Sequence, residues 1–471
     1  MYLQRQSFLV LGLSRSGAAA AEFLLSRRAT VYIYDDIESD KVRRQVDELE
    51  KNGAKRVEKQ KLTEMVEICD ALVLSPGIPI DHPLAVAFKR AKKAVLGETE
   101  LAARYFKGLA VAVTGTNGKT TTVSMIEQAL RASGLNAVAC GNIGAPMLGV
   151  VGKSEDTVAV AEISSFQMET LNSFCPHIAV VLNISEDHLS RHYNMENYIF
   201  LKRKLLKNLS EAEFAVLNYD DQLVRQFSEN TKARVIWFSM REKVNGAYYK
   251  DGDLYFGEEK LFSAGEMLTG GVHNIQNALA AAAVAKLLGL ETQKFVKALI
   301  EFKGVKHRIE LVGTFDGVTY IDDSKGTNVD ATLKAVACMT AETVLLLGGK
   351  DKGYDYQKLF EGLKNSKAVC AILYGENRFK LLDAARAVGF TNVAVCIGFD
   401  HAVYMAKMVA VKGQTVLLSP ASASFDEFTS YEERGERFVS LVTPKEEPES
   451  AAASNAADGF TALGAREEEN E

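Results

Sequence analysis

No run in this chain stays apolar over the roughly 20 residues that a bilayer crossing needs, because Lys286 interrupts the Ala-rich stretch 279 to 290. The opening residues, MYLQRQSFLVLGLSRSG, hold too short an apolar run for the core of a signal peptide and turn straight into a Gly-containing loop. Neither membrane insertion nor export is expected, and the protein should be cytoplasmic. A basic excess is also missing, which argues against nucleic acid as a partner. The formal net charge is −6, and residues 444 to 471, with eight acids against Lys445 and Arg466, carry all of it. Residues 1 to 443 therefore balance. The six cysteines, Cys69, Cys140, Cys175, Cys338, Cys370 and Cys396, are scattered without a C-x-x-C pair. That speaks against a zinc or disulfide framework and leaves buried free thiols as the expectation.

What is present is a soluble globular composition, 47% apolar and 25% charged, in a 471-residue chain too long for one ordinary core. Short β-rich runs alternate with longer helical patterns: SFLVLGL, SGAAAAEFLLSRR, TVYIYDD, a charged helix, then CDALVLSPG. The rhythm restarts at VAVTGTNGKT, runs through VAVAEISS and IAVVLNIS, and restarts again at VTYIDDS, TVLLLGG, AVCAILYG and TVLLSPA. Such alternation implies parallel sheets with crossover helices, an α/β class. The restarts predict three domains, over residues 1–97, 98–302 and 303–443. Residues 444–471 are rich in Ala, Glu and Ser with little apolar mass, so a disordered acidic tail is expected, with a short docking segment around Phe460 and Leu463 as the alternative.

In TGTNGKTTT a strand runs into a Gly-rich turn and then the helix SMIEQALRASG. Amides at such a turn and at a helix N-terminus point at whatever sits there, and the helix dipole favours an anion. Gly115, Thr116, Asn117, Gly118, Lys119, Thr120 and Thr121 are thus candidates for holding nucleotide phosphates, with Lys119 reaching the terminal ones and the Thr120 hydroxyl on Mg²⁺. The strict G-x-x-x-x-G-K-[ST] pattern needs Gly at position 113, where Val113 stands, so the match is to a shorter G-T-N-G-K-T form. Glu162 ends the strand TVAVAE, facing the same crevice, where a carboxylate can hold the metal. His188 follows another strand end in NISEDHLSRH. In YIFLKRKLLKNL the cluster Lys202, Arg203, Lys204 is an oddity, since an ordinary lysine beside Mg²⁺ would be repelled.

The set TGTNGKTTT, AEISSFQME, NISEDHLSRH, GVHNIQNALAA, VKHRIE, IDDSKGTN, LLLGGKDKG and LLSPASASFDEF resembles, in order and spacing over about residues 1–442, the Mur ligases of cell-wall synthesis. The likeness is greatest to the members that join D-glutamate to UDP-N-acetylmuramoyl-L-alanine. It implies a Rossmann-like N-terminal domain for the UDP substrate, a central P-loop ATPase and a Rossmann-like C-terminal domain. It also implies ATP and Mg²⁺, two metal sites among them, with Thr120, Glu162 and His188 as ligands. A family lysine four positions after a tyrosine carries CO₂ as a carbamate; Tyr198 puts it at Lys202, with Lys204 the competitor. Carbamylation would turn the cation into an anionic oxygen ligand and remove the repulsion.

By the same resemblance Asn274 and Asn277 match adenine contacts, Arg308 a phosphate contact, and Asp323 and Lys325 residues that reach ATP. Thr327, Lys352, Ser424, Phe425 and Tyr431 match the amino-acid pocket. GLSRSG at 12–17 follows a strand but lacks the middle Gly of a dinucleotide fingerprint, and alone would suggest NAD. The resemblance instead makes Ser14, Arg15 and Asp35 candidates for the uridine diphosphate end, with SPGIP (Ser75, Gly77) and GNIG (Asn142) lining the path to the muramoyl-alanine. A monomer is expected. Two other readings remain at this stage: a nucleotide-dependent switch without substrate turnover, and an NAD enzyme built on GLSRSG, which leaves the central domain unexplained.

Overall fold

The structure, a computed structural model, describes residues 3–37, 40–185, 187–351 and 353–444. Lys352 and residues 445–471, where nearly all of the expected tail falls, lie outside the described residues. The chain forms two compact units, Met1–Val305 and Lys306–Glu471.

The first unit holds two sheets. In the five-stranded one the order is Lys55–Arg56, Thr30–Tyr34, Ser7–Leu11, Ala71–Leu74, Ala94–Leu96, all parallel. Phe8, Leu9, Val10 and Leu11 are buried in sequence, as a strand covered on both faces requires. The order reverses beside Ser7–Leu11, so the loops after Leu11 and after Leu74 open onto one crevice.

The second sheet has nine strands, and its working part is the parallel set Asn136–Gly141, Thr157–Glu162, Leu109–Thr114, Ile178–Val181, Phe214–Asn218. Leu109–Thr114 lies between Thr157–Glu162 and Ile178–Val181 and delivers the phosphate-loop sequence at its carboxyl end. The helix Lys119–Ala132 follows at once, and Gly118 precedes it at φ 83°, where an added Cβ would meet the Asn277 side-chain oxygen at 2.5 Å. The Ala-rich helix Val272–Leu287 packs on this helix; Ala280 to Ala283 are all fully buried, and small side chains let the two backbones approach closely.

The parallel sheets that the alternation implies carry antiparallel additions at their edges: Gly246–Lys250, Asp253–Phe256 and Glu259–Ser263 pair antiparallel, as do Glu310–Phe315 and Val318–Asp322. The pairs are joined by Asp251-Gly252, Gly257-Glu258 and Asp316-Gly317, two-residue loops of hairpin chemistry with positive φ at both Asp251 and Gly252 and at both Asp316 and Gly317.

The second unit carries the six-stranded sheet, in the order Glu310–Phe315, Val318–Asp322, Thr415–Leu418, Thr343–Gly348, Ala368–Tyr374, Val393–Val395. Val318–Asp322, Thr415–Leu418 and Thr343–Gly348 are adjacent and parallel, so the DSKGT, SPASAS and GGKDKG loops leave from the same edge. All six cysteines are free, but Cys175 and Cys338 are exposed and Cys370 only partly covered, which corrects the expectation of buried thiols. Cys175 sits in a connection before a strand and Cys338 at a helix C-terminus, outside the apolar strand runs. Among the described residues no helix is long and apolar enough to cross a membrane.

Candidate active site

The carboxyl ends of three parallel strands meet at the phosphate loop. The Thr120 hydroxyl donates to Glu162 Oε2 at 2.7 Å, and Asn142 Nδ2 donates to Glu162 Oε1 at 2.7 Å. Both oxygens of this buried carboxylate are therefore aimed, one at the first turn of the loop's helix and the other at the GNIG loop. On the opposite side Asn183 brackets Asn117, accepting from its amide at 2.8 Å and donating to its carbonyl at 3.1 Å. The Thr116 hydroxyl lies 3.1 Å from the Tyr198 hydroxyl and accepts from the Ser185 amide at 3.0 Å. The loop is thus held at Thr116, Asn117 and Thr120 by groups from the neighbouring strand ends and from the helix bearing Tyr198, which orders it before any ligand arrives.

Lys119 donates to the carbonyls of Gly115 and Thr116, both at 2.9 Å. Lys202 donates to the same Gly115 carbonyl at 2.8 Å, is only 1% exposed, and lies over the Tyr198 ring. Burial, and then repulsion from Lys119, lowers the Lys202 ammonium to about 7. Lys204 points elsewhere: its ammonium donates to the Met168 carbonyl at 2.5 Å. A cavity of about 130 Å³ is lined by Lys119, Asn142, Asp187, His188, Tyr198 and Lys202 together with residues 164–166. His188, in left-handed backbone at φ 54°, stands 3.4 Å from Asp187 and against the ring of Phe166.

The donor set fits a hard divalent cation beside Thr120 and Glu162, a hydroxyl and a carboxylate already paired across the crevice. At His188 and Lys202 the fit is different. An amine is a poor ligand for such a cation, whereas an anionic group on the same nitrogen would suit it.

Thr122 donates to Asn277 Oδ1 at 3.1 Å, which brings Asn277 to the back of the phosphate loop, while Asn274 donates to the Gly270 carbonyl at 3.0 Å. In the five-stranded sheet Ser14 and Ser75 hydroxyls lie 3.0 Å apart across the order reversal. Asp35 accepts from the Leu13 and Ile37 amides at 2.6 and 2.8 Å, shaping the turn. Arg15 reaches the second sheet, donating to the Asn142 carbonyl at 3.1 Å, so Ser14, Arg15, Ser75, Asn142 and Glu162 form one connected line. Gly77 offers its carbonyl to Arg191.

In the second unit Asp323 is buried, accepts from Ser419 at 2.6 Å, and is raised to about 7 by that burial. Lys325 lies over the ring of Tyr431, Thr327 follows in the same loop, and Phe425 stands 69% exposed beside buried Ser424. Arg308 is partly buried next to His307, whose ring nitrogen bonds Asp322 at 2.7 Å.

Several residues of these sites were not anticipated. Asn183 and Asp187 lie inside the NISEDH motif and could have been picked from it. Arg434 could not: it reads as one charge in YEERGERF, yet it is fully buried and donates to the Ser324 hydroxyl and carbonyl and to the Ser422 carbonyl.

Three family models match in succession: the MurD-like N-terminal domain over 6–97, the Mur ligase middle domain over 113–285 and the Mur ligase glutamate ligase domain over 307–422. The UDP-N-acetylmuramoylalanine–D-glutamate ligase of Pelotomaculum thermopropionicum is 40% identical over 444 residues, 93% of this chain and 97% of that one. The protein of the same name from Solibacter usitatus is 41% identical over 445 residues, 94% and 98%. Among solved structures, UDP-N-acetylmuramate-alanine ligase from Thermotoga maritima shares the fold with TM-score 0.56 at 18% identity, covering 92% of this chain and 98% of that one. MurF from Acinetobacter baumannii does so with TM-score 0.57 at 16% identity, covering 92% and 93%. With domains matched in this order and relatives of this identity along nearly the whole length, the chain belongs to the Mur ligase family.

Proposed function

We propose that the protein is an ATP-dependent ligase that joins D-glutamate to UDP-N-acetylmuramoyl-L-alanine, a step in making the peptidoglycan precursor. The observation that carries this reading is the line from Ser14 and Ser75 through Arg15 and Asn142 to Glu162 and Thr120, which connects a sugar-nucleotide crevice to a phosphate loop. Full-length relatives named for that reaction support it.

A carboxylate is inert to amines at neutral pH. Transfer of the γ-phosphoryl of ATP to the alanyl carboxylate forms a C–O–P linkage and releases ADP. The amine of D-glutamate then attacks the carbonyl carbon, inorganic phosphate leaves, and the amine loses a proton. The chain's part is positioning and charge. The amides of 115–121 and Lys119 bind the phosphates, Asn142 orients Glu162, and Asn277 backs the loop against the nucleotide. Thr120 and Glu162 would hold Mg²⁺, which supplies neutralising charge at the phosphates. Lys202, buried with a lowered ammonium, has the neutral amine that CO₂ requires. As a carbamate beside His188 it would offer oxygen ligands for a second cation.

Ser14, Arg15 and Asp35 are assigned to the uridine diphosphate end, Ser75, Gly77 and Asn142 to the muramoyl-alanine path. Thr327, Ser424, Phe425 and Tyr431 are assigned to the amino acid. Domain boundaries are proposed near residues 97 and 303, and the cytoplasm, where ATP is made available, as the place of action. The test is isotopic: with ¹⁸O in the alanyl carboxylate, one label should appear in the released phosphate. Unlabelled phosphate would rule out activation through an acyl phosphate.

A further inference from the structure

One guanidinium ties the five-stranded sheet to the wall of the phosphate crevice. Arg191 lies in the short helix Leu189–His192, and its Nε and Nη2 donate to the two oxygens of Glu169 at 2.9 and 2.7 Å. The same group takes three consecutive carbonyls of the SPGIP loop: Pro76 at 3.3 Å, Gly77 at 3.2 Å and Ile78 at 2.8 Å. Its side chain is mostly buried, Glu169 more so, and the guanidinium lies 5.1 Å over the Phe166 ring. Phe166 in turn packs on His188.

A second tie runs parallel, from the Tyr193 hydroxyl to the Asp81 carboxylate. The segment between is held in costly backbone: His188 at φ 54° and Tyr193 at φ 70° flank the helix, and such conformations persist where surrounding contacts over-determine them. The charge of Arg191 is balanced by Glu169, so the residue is engaged in holding protein rather than in binding a phosphate. The planar fork matters: a lysine ammonium could keep the ion pair but has no geometry to serve a carboxylate and three carbonyls together.

We propose that Arg191 is a positioning residue for the sugar-nucleotide substrate. It sets the backbone of residues 76–78 against the segment bearing His188, and thereby determines the affinity for that substrate without touching the reacting atoms. The assignment of the substrate rests on the function proposed above.

Two measurements on the full chain test it, with Arg191→Met, Arg191→Lys and the milder Tyr193→Phe. In the ligand-free protein, hydrogen exchange over residues 75–82 should quicken by about tenfold or more in both Arg191 variants and less in Tyr193→Phe, with Thr343–Gly348 unchanged. Unaltered exchange at 75–82 would overturn the tie. In steady state, the KM for UDP-N-acetylmuramoyl-L-alanine should rise about tenfold or more, while kcat stays within about threefold and the KM for ATP within about twofold. A loss confined to kcat, or an unchanged KM, would overturn the positioning role. Wild-type protein without turnover would instead remove the substrate assignment, and the exchange result would still decide whether Arg191 holds the loop.

Discussion

Lys119 and Lys202 donate to one and the same acceptor, the Gly115 carbonyl, at 2.9 and 2.8 Å. Burial, with repulsion from Lys119 second, lowers the Lys202 ammonium to about 7. The carbonyl end of the phosphate-loop strand thus holds, beside Lys119, a lysine that gives up its proton readily.

This arrangement makes stability depend on pH. Between about 7 and the ordinary 10.5 the unfolded chain binds a proton at Lys202 that the folded chain does not. Stability therefore rises with pH across that window, with a slope approaching about 1.4 kcal/mol per pH unit from this group. In CO₂-free buffer, the difference in urea stability between Lys202→Met and wild type should be largest near pH 7 and shrink toward pH 10. A difference that does not change with pH would contradict the lowered ammonium.

Lys202→Ala should lose most activity, about 100-fold or more, and recover part of it with added short carboxylates, which supply the missing anionic oxygens. Lys204→Ala should change turnover far less, because its ammonium is held by the Met168 carbonyl away from the cavity. Activity of Lys202→Ala near wild type without rescue would sink the carbamate assignment.

Glu162→Gln keeps an acceptor for Thr120 but removes the charge that a cation needs. Turnover should fall about 100-fold and the Mg²⁺ requirement should rise. Asn142→Ala leaves the charge and frees only one oxygen, so a smaller loss, about tenfold, is expected in the same assay. Equal Mg²⁺ titrations for wild type and Glu162→Gln would place the cation elsewhere.

Arg434→Met should destabilise the Lys306–Glu471 unit by about 3 kcal/mol, since it leaves the buried Ser324 and Ser422 carbonyls without their donor. Trp237, the one tryptophan, lies in the other unit. Urea unfolding should show an earlier transition by circular dichroism with the Trp237 fluorescence midpoint unmoved.

Much of the fold could be read in advance because buried parallel strands announce themselves as apolar runs ending in polar loops; every run quoted from the sequence begins or contains a strand or its helix. The hairpins at 246–263 lie outside the runs that the strand–helix rhythm picks out, and their local signal is the Asp251-Gly252 turn chemistry. The resemblance favours Lys202 over Lys204 through the four-residue spacing from Tyr198; in the structure Lys202 lines the cavity, while Lys204 donates to the Met168 carbonyl. Arg191 and Arg434 had no local signal. Their partners are distant in sequence, 22 to 115 residues away for Arg191 and up to 110 for Arg434, and burial of an arginine is decided by those partners rather than by its neighbours.

The most direct measurement is phosphate release from ATP by the purified protein with UDP-N-acetylmuramoyl-L-alanine, comparing D-glutamate with L-glutamate, L-alanine, L-lysine and diaminopimelate. Turnover is expected with D-glutamate alone. Turnover with a different amino acid, or none with any, would contradict it.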